Sequence, residues 1–160
     1  MKKKIIYVDM DDVLCDYMGA HRAALKKDPN NKWPQGVYDF YRGLKPIPGA
    51  VEGMNKLEEM GYDVWILTRP SYMNPTCYTE KRMWIEDHLG IDWCRKLILC
   101  PDKSLLKGDY LVDDQPWPDF EGEQILFRWE EENMEWPAYN VKKTWNDVLD
   151  YFTMISSKKD

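Results

Sequence analysis

Ile5-Ile6-Tyr7-Val8-Asp9-Met10-Asp11-Asp12 is the stretch that decides the fold, because it joins an apolar run directly to a group of carboxylates. The first four residues are apolar and mostly β-branched, which is typical of a short buried strand. The strand ends abruptly at Asp9, so the acidic residues are predicted to follow it in a loop. Asp9 and Asp11 are two residues apart, and their side chains can therefore share one side of the chain.

Further apolar runs repeat this pattern and predict a sheet. Strands are expected at residues 64–67, 97–100, 110–112 and 124–127. Apolar residues at helical spacing predict helices at 51–60 and 79–89, each followed by a glycine. A last helix is predicted from Thr144, with Asp147 completing a variant of the capping box. Strands that alternate with helices favour a parallel, doubly wound α/β sheet.

The chain has 160 residues, which is the size of one ordinary domain. Its segment 15–48 contains several aromatic residues together with Pro29, Pro34, Pro46 and Pro48. We interpret this segment as a small, mostly helical insertion. The prediction is a single domain over residues 1–160, with a cap insertion at roughly 15–48.

The charge balance limits the class of ligand. The chain has 22 Lys and Arg residues against 28 Asp and Glu residues, which gives a net charge of −6. Polymeric nucleic acid is a poor partner for such a chain, because phosphate contacts need clustered Lys and Arg, whereas a single nucleotide needs only a few local cations. The eight Trp and ten Tyr residues indicate that some aromatic side chains face a flat ligand or a partner.

The four cysteines form no C-x-x-C pair and have no zinc-type spacing, so we interpret them as reduced thiols of a cytoplasmic protein: Cys15, Cys77, Cys94 and Cys100. The apolar run before Asp9 is too short for a signal peptide or a membrane helix, and no membrane partner is expected. The sequence leaves the oligomeric state open, a homodimer included.

Residues that can carry chemistry follow four of the predicted strands. They are Asp9 with Asp11, Thr68, Lys103, and Asp113 with Asp114. Ligands of open α/β sheets bind beyond the carboxyl ends of the strands. In a parallel sheet, all of these residues would lie along one edge.

Several carboxylates at one edge repel one another, and the arrangement makes sense with a cation among them. Carboxylates and water suit Mg²⁺, and the nearby nitrogens belong to lysines and arginines, which argues against zinc or copper. The same residue types suit phosphoryl transfer. One carboxylate can attack phosphorus, a second can carry the proton, and a hydroxyl with a lysine can hold the phosphoryl oxygens.

In these motifs the chain resembles phosphatases of the haloacid dehalogenase (HAD) superfamily. Residues 9–14 (DMDDVL) are similar to its first motif, D-x-D-G-[TV]-[LV], and Thr68, Lys103 and Asp113-Asp114 match the next three. The chain more closely resembles the 5′(3′)-deoxyribonucleotidase family. That resemblance covers nearly the whole chain, through Asp16, residues 44–50 (LKPIPGA), Glu80-Lys81, Trp84, Asp102-Lys103-Ser104, Trp145 and Asp147.

The resemblance implies a HAD-like Rossmannoid three-layer fold, with a central parallel sheet and a small helical cap. It implies a Mg²⁺-dependent hydrolase of nucleoside monophosphates, with 5′(3′)-deoxyribonucleotides foremost, that works through an aspartyl phosphate. Asp9 would be the nucleophile, Asp11 the general acid and base, and Tyr17 the aromatic residue under the nucleobase. The metal would bind Asp9, Asp113 and the backbone carbonyl of Asp11, and Asp114 would support it either directly or through a water molecule. The phosphate would be held by Thr68, Lys81 and Lys103. Arg69 is not part of this family set, and its side chain could either add a phosphate contact or alter the size of the pocket.

Three residues depart from the family pattern: Asp12 replaces a glycine, Arg69 a frequent serine, and Gln115 a frequent arginine. Asp12 fits if the backbone at that point does not require a positive φ. The insertion is also shorter than in the animal enzymes. We expect these changes to affect the choice of substrate more than the type of reaction. Lys81 is predicted in the first turn of a helix, where it would oppose the helix dipole, and this suggests an anion beside it.

Other interpretations remain open. The substrate could be another small phosphate monoester such as a sugar phosphate, the protein could be a non-catalytic phosphate-binding module, or it could be a phosphotransferase or mutase. The insertion distinguishes a nucleotide from a sugar phosphate as substrate, since an aromatic pocket favours a base and a polar pocket favours a sugar. Trp33, Phe40 and Tyr41 form either the core of the insertion or a stacking surface, and His21 and His88 are expected to be structural.

Overall fold

The computed structural model describes residues 2–129 and 139–157. Its strands form one parallel sheet in the order β3-β2-β1-β4-β5-β6, with bounds β1 Ile5–Val8, β2 Asp63–Thr68, β3 Leu97–Leu99, β4 Tyr110–Asp113, β5 Glu123–Phe127 and β6 Asn140–Lys142. The α-helices are α1 Tyr17–Lys27, α2 Ala50–Glu59, α3 Cys77–Leu89 and α4 Trp145–Ser157. Short 3₁₀ turns cover Pro34–Gly36, Ile91–Lys96 and Lys103–Leu105.

The parallel α/β sheet predicted from the sequence is confirmed, with each predicted strand within one residue of its observed bounds. The sixth strand, β6, was not predicted. It has three half-buried residues, only one of them apolar, so it carries no periodic signal. It is recognised only because it pairs with β5 at the sheet edge.

The strand order places the reaction chemistry beside β1. Val8 of β1 is in register with Ile66 of β2 on one side and with Val112 of β4 on the other. The chain proceeds outward through β2 and β3 and then returns to the other side of β1, so the order reverses between β1 and β4. A crevice forms at such a switch point, beyond the carboxyl ends of the two strands. The amide of Asp9 donates to the carbonyl of Val112 at 2.9 Å, which carries the pairing one residue past β1.

Alternation along the strands divides the apolar residues between two clusters. Ile6 and Val8 of β1 belong to the larger cluster, together with buried residues of α2, α3 and α4. Tyr7, which lies between them, packs in the smaller cluster with Leu111 and Phe120. Successive side chains of a strand point to opposite faces, so both faces of the central strands are covered. This double burial explains why the strands read as continuous apolar runs.

The last helix is joined closely to the loop that follows β1. The predicted capping box is present, because Asp147 N donates to Thr144 Oγ1 at 3.1 Å and Thr144 N donates to Asp147 Oδ2 at 2.9 Å. The indole of Trp145 donates to the carbonyl of Val13 at 2.8 Å. A Cβ on Gly53 of α2 would lie 2.3 Å from that indole ring, so only glycine allows α2 and α4 to pack here.

The insertion leaves the sheet layer through a narrow neck. Asp16 N donates to the carbonyl of Lys45 at 2.8 Å, and Ile47 N donates to the carbonyl of Leu14 at 2.8 Å. Between these points the regular structure is α1 and the turn Pro34–Gly36, and the remainder consists of turns and irregular chain. The insertion is therefore less helical than the sequence predicted, and its division from the rest of the domain at 15–48 stays a prediction.

Candidate active site

The loop after β1 is wound tightly around one carbonyl group. Val13, Leu14 and Cys15 all donate their amides to Met10 O, at 3.1, 2.8 and 3.1 Å. Asp12, inside this turn, has a φ of 61°, so the backbone does require the positive φ that a glycine would adopt freely. Aspartate tolerates this region better than most side chains. The Asp12 carboxylate also accepts the amide of Met18 at 2.9 Å and so caps the first turn of α1.

Three carboxylates converge between the ends of β1 and β4. One oxygen from each of Asp9, Asp113 and Asp114 lies within 4.8 Å of the other two. Burial, together with repulsion from Asp9, raises the pKa of Asp113 to about 6. Burial and the same repulsion raise the pKa of Asp114 to about 10. Carboxyl groups that disfavour joint ionisation in this way, and that offer only oxygen ligands, fit a hard divalent cation.

Lys103 is the buried cation of this cluster. Its Nζ lies 2.8 Å from Asp9 Oδ1 and 2.5 Å from Asp113 Oδ2, and its side chain is 1% exposed. Burial alone would lower the pKa of Lys103, but Asp9 and Asp113 outweigh that effect and raise it. The turn Lys103–Leu105 positions the side chain, and Asp102 caps this turn by accepting the amide of Ser104.

Lys81 performs a similar role on the other side of the loop. Its Nζ donates to Asp11 Oδ2 at 3.0 Å, to Thr68 Oγ1 at 2.6 Å and to the carbonyl of Arg69 at 2.8 Å. Because α3 begins at Cys77 and not at residue 79, Lys81 is its fifth residue, so the predicted placement in the first turn was wrong. The anion beside Lys81 is the carboxylate of Asp11, which pairs with it.

Asp11 is separate from the three-carboxylate cluster. Its side chain is 25% exposed and turns toward Lys81. Burial raises the pKa of Asp11, and repulsion from Asp9 adds to this effect, while Lys81 and Lys103 oppose it. A carboxyl group that retains a proton more readily than usual can serve as a general acid. The structure thus brings together the predicted residues of the four strand ends, but it divides them into a cluster around Lys103 and a cluster around Lys81.

Both clusters open into one cleft of about 910 Å³. Tyr17, Trp33 and Tyr41 of the insertion line it, as do the exposed Arg69 and Arg22. Among the described residues, the guanidinium of Arg69 has no hydrogen-bond or ion-pair partner. Thr68 ends β2 beneath it and is fully buried.

The aromatic residues of the insertion have distinct positions. Tyr17 stacks on Tyr41 at a centroid distance of 6.1 Å and on His21 at 5.7 Å. Phe40 packs edge-on against both tyrosines and does not line the cleft. Trp33 lines the cleft with half of its surface exposed. The sequence left open whether Trp33, Phe40 and Tyr41 form the core of the insertion or a surface for stacking. In the structure Phe40 packs against the core, Trp33 faces the cleft, and Tyr41 both packs in the core and lines the cleft.

Comparison with known proteins gives the family. The sequence pattern of the "5′ nucleotidase, deoxy (Pyrimidine), cytosolic type C" family matches residues 32–159, which is most of the chain. This chain belongs to that family. The mitochondrial 5′(3′)-deoxyribonucleotidase of Mus musculus is 30% identical in an alignment that covers 78% of this chain and 70% of the mouse protein.

A relative from Bordetella pertussis is 47% identical over 77 residues, which cover 48% of this chain and 41% of the relative. The chain thus spans less than half the length of this nucleotidase-family relative. The solved structure of YfnB from Bacillus subtilis, classed as a HAD-hydrolase and bound to magnesium, superposes with a TM-score of 0.64. At 9% identity, with 95% of this chain and 99% of YfnB covered, the superposition confirms the HAD-like fold.

Two departures from the nucleotidase-family pattern are built into this site. Gln115 donates from its side chain to Asp114 at 3.1 Å and from its backbone to Asp113 at 3.0 Å, so it orients both carboxylates of the cluster. Arg69 accepts a hydrogen bond from Lys81 through its backbone carbonyl, and its side chain lies at the cleft.

Among the described residues, no helix is both long enough and apolar enough to cross a membrane.

Sequence reasoning missed the buried polar residues that support the cleft, Asn74 and Glu80, each 2% exposed. Glu80 was noted only as part of the family resemblance. A glutamate and an asparagine in a polar stretch carry no sign of burial, so the sequence offers no signal for Asn74. The position of Glu80 beside Lys81 and ahead of Trp84, on the buried side of a helix, was the one available indication.

Proposed function

We propose that this chain is a divalent-metal-dependent phosphatase of nucleoside monophosphates, with 5′(3′)-deoxyribonucleotides as its main substrates and Mg²⁺ as the metal. The proposal rests on the convergence of three carboxylates: one oxygen from each of Asp9, Asp113 and Asp114 lies within 4.8 Å of the other two. Lys103 lies beside them, and the cleft that they line also has aromatic residues in its wall. The names of the relatives support the substrate class. The magnesium in YfnB agrees with the oxygen ligands present here.

In the proposed mechanism, Asp9 attacks phosphorus and forms an aspartyl phosphate. Asp11 gives its proton to the leaving nucleoside oxygen, then removes a proton from the water that hydrolyses the intermediate. Lys81 holds Asp11 in place through the 3.0 Å ion pair. A divalent cation bound by Asp9, Asp113, Asp114 and the Asp11 carbonyl would neutralise charge on the phosphoryl oxygens.

The remaining predicted residues bind the substrate. Thr68, Lys81 and Lys103 hold the phosphoryl oxygens. Arg69, whose guanidinium has no partner within the described part of the chain, adds a contact from the cleft wall. Tyr17 lies beside the base, supported by Tyr41. Both buried lysines are already paired with carboxylates, so Arg69 is well suited to balance the charge of an incoming phosphate. Binding of single nucleotides in the cytoplasm is part of the proposal, and a homodimer stays a prediction.

The test is phosphate release from a panel of deoxyribonucleotides, ribonucleotides and sugar phosphates with Mg²⁺. Preference for deoxyribonucleotides, lost on chelation, is the expected result. Asp87→Asn is the matched control for Asp9→Asn, because Asp87 is an exposed carboxylate that pairs only with Arg42 among the described residues. Preference for sugar phosphates would contradict the substrate class, and activity that survives chelation would contradict the metal. No release from any compound would favour the binding-module interpretation.

A further inference from the structure

The aromatic wall of the cleft is the side formed by Tyr17, Trp33 and Tyr41 of the insertion. Two buried polar side chains that do not line the cleft hold part of this wall in place. Asn74, in the loop between β2 and α3, and Glu80, in α3, are each 2% exposed. A buried carboxylate is costly unless hydrogen bonds replace its water. Both side chains make hydrogen bonds to the backbone of the insertion.

Glu80 holds the end of the insertion that bears Tyr41. One carboxylate oxygen accepts the amide of Asp39 at 2.9 Å, and the other accepts the amide of Tyr41 at 3.0 Å. The hydroxyl of Thr76 donates to the same carboxylate. Asp39 has a φ of 63°, so the chain turns sharply at the point where Glu80 binds it.

Asn74 holds the preceding residues. Its amide nitrogen donates to the carbonyl of Gln35 at 2.9 Å and to that of Val37 at 3.2 Å. Its amide oxygen accepts the backbone amide of Thr76 at 2.8 Å and lies 2.8 Å from the Thr76 hydroxyl oxygen. Between them, Asn74 and Glu80 bind every second residue of the segment 35–41.

This attachment sets the distance between the wall and the reaction centre. Tyr41 is held against Tyr17, and the Nζ of Lys81 lies 5.2 Å from the centre of the Tyr41 ring. Lys81 is the next residue after Glu80 and binds Asp11 and Thr68. Two consecutive residues of one rigid helix therefore hold the wall and the reaction centre.

We propose that Asn74 and Glu80 are positioning residues that determine substrate specificity, because they hold Gln35 and Tyr41 at a fixed distance from the reaction centre. They act on recognition of the base and not on the phosphoryl transfer itself. The inference rests on the proposed function, since it assumes a substrate with a base.

The experiment compares Glu80→Gln with Glu86→Gln in the full chain. Glu86 lies on the same helix but is exposed and pairs with Arg82, so it is the matched control. Two quantities are measured: the KM for a deoxyribonucleoside monophosphate, and the inhibition constant of inorganic phosphate, which lacks a base. Glu80→Gln leaves at least one insertion amide without its acceptor, and a lost hydrogen bond of this kind corresponds to about a tenfold rise in KM. The inhibition constant of phosphate should stay within about twofold, because the contacts of Lys81 are retained.

A parallel rise of both constants would overturn the proposal, because Glu80 would then act on the reaction centre through Lys81. No change in either constant would overturn it as well. Asn74→Asp tests the same proposal if Glu80→Gln does not fold: it removes the two amide donors to Gln35 and Val37 but keeps the acceptor for Thr76. Its KM for the nucleotide should rise alone. Wild-type protein that hydrolyses no nucleotide would refute the proposed function instead, which keeps the two failures distinguishable.

Discussion

The carboxylate cluster between β1 and β4 and the insertion above it are held in place by different means. Asp9 and Asp113 are placed by the sheet, because each belongs to or directly follows a strand in parallel register with its neighbour. Beyond its neck, the segment 35–41 of the insertion is placed by side chains, since Asn74 and Glu80 bind its backbone. Backbone pairing fixes the chemistry, and a few tertiary hydrogen bonds fix the wall of the cleft.

This difference determines how each region should respond to change. Substitution in the carboxylate cluster should affect every phosphate monoester equally, because every substrate presents the same phosphoryl group. Substitution around the insertion should affect only substrates with a base.

Asp9→Asn should reduce phosphate release from every active compound by about 10⁴-fold or more, because the amide is a far weaker nucleophile than the carboxylate. Release of phosphate is measured with a deoxyribonucleotide and with a sugar phosphate, and thermal unfolding verifies that the variant is folded. A variant within tenfold of the wild-type rate on either compound would remove Asp9 from its proposed role.

Asp11→Asn should slow hydrolysis of a nucleotide by about 10²- to 10⁴-fold, because the leaving oxygen loses its proton donor. The loss should be much smaller for p-nitrophenyl phosphate, whose leaving group departs without a proton. The rates of both substrates are compared in the same variant. Equal losses would indicate that Asp11 acts only by holding Lys81 and Thr68 in position.

The strands and the carboxylate edge could be predicted from the sequence because both depend on local signals. A buried parallel strand is a continuous apolar run, and a polar residue just after it must lie at the sheet edge. Asp9, Thr68 and Asp113 could therefore be assigned to one edge from the sequence alone. The division of the site into a Lys103 cluster and a Lys81 cluster could not be predicted, since it depends on where two long side chains reach through the core.

The insertion was harder to predict for a related reason. Its prolines and aromatic residues led to the prediction of a mostly helical insertion, but its path is determined by Asn74 and Glu80, which lie more than 30 residues away in sequence. The positive φ at Asp12 was likewise not decided by the sequence, because aspartate can adopt either sign of φ.

Lys81→Met should raise the KM for a deoxyribonucleotide and the inhibition constant of phosphate together, by about ten- to a hundredfold, since a charged hydrogen bond to the phosphate is lost. The pKa of Asp11 should also rise further, because Lys81 is the main group that lowers it. Arg82→Met, an exposed cation of the same helix, is the control. The contrast with Glu80→Gln, one residue earlier, tests most directly whether the reaction centre and the insertion act on different parts of the substrate. A Lys81 variant that raised the KM of the nucleotide without raising the inhibition constant of phosphate would contradict this.

Asp12 lies between the two regions, in the loop that connects β1 to α1. Its substitution should have the smallest effect of the changes considered, and this effect should be on the free energy of unfolding. Asp12→Gly removes the strain of a positive φ but loses the cap on Met18, two effects of about 1 kcal/mol each that should nearly cancel. Asp12→Ala keeps the strain and loses the cap, so its free energy of unfolding should fall by about 1–2 kcal/mol. Asp12→Asn retains both the acceptor and the tolerance of positive φ, and should match the wild type. Urea denaturation gives the three values, and an alanine variant as stable as the glycine variant would show that the backbone at Asp12 carries no strain.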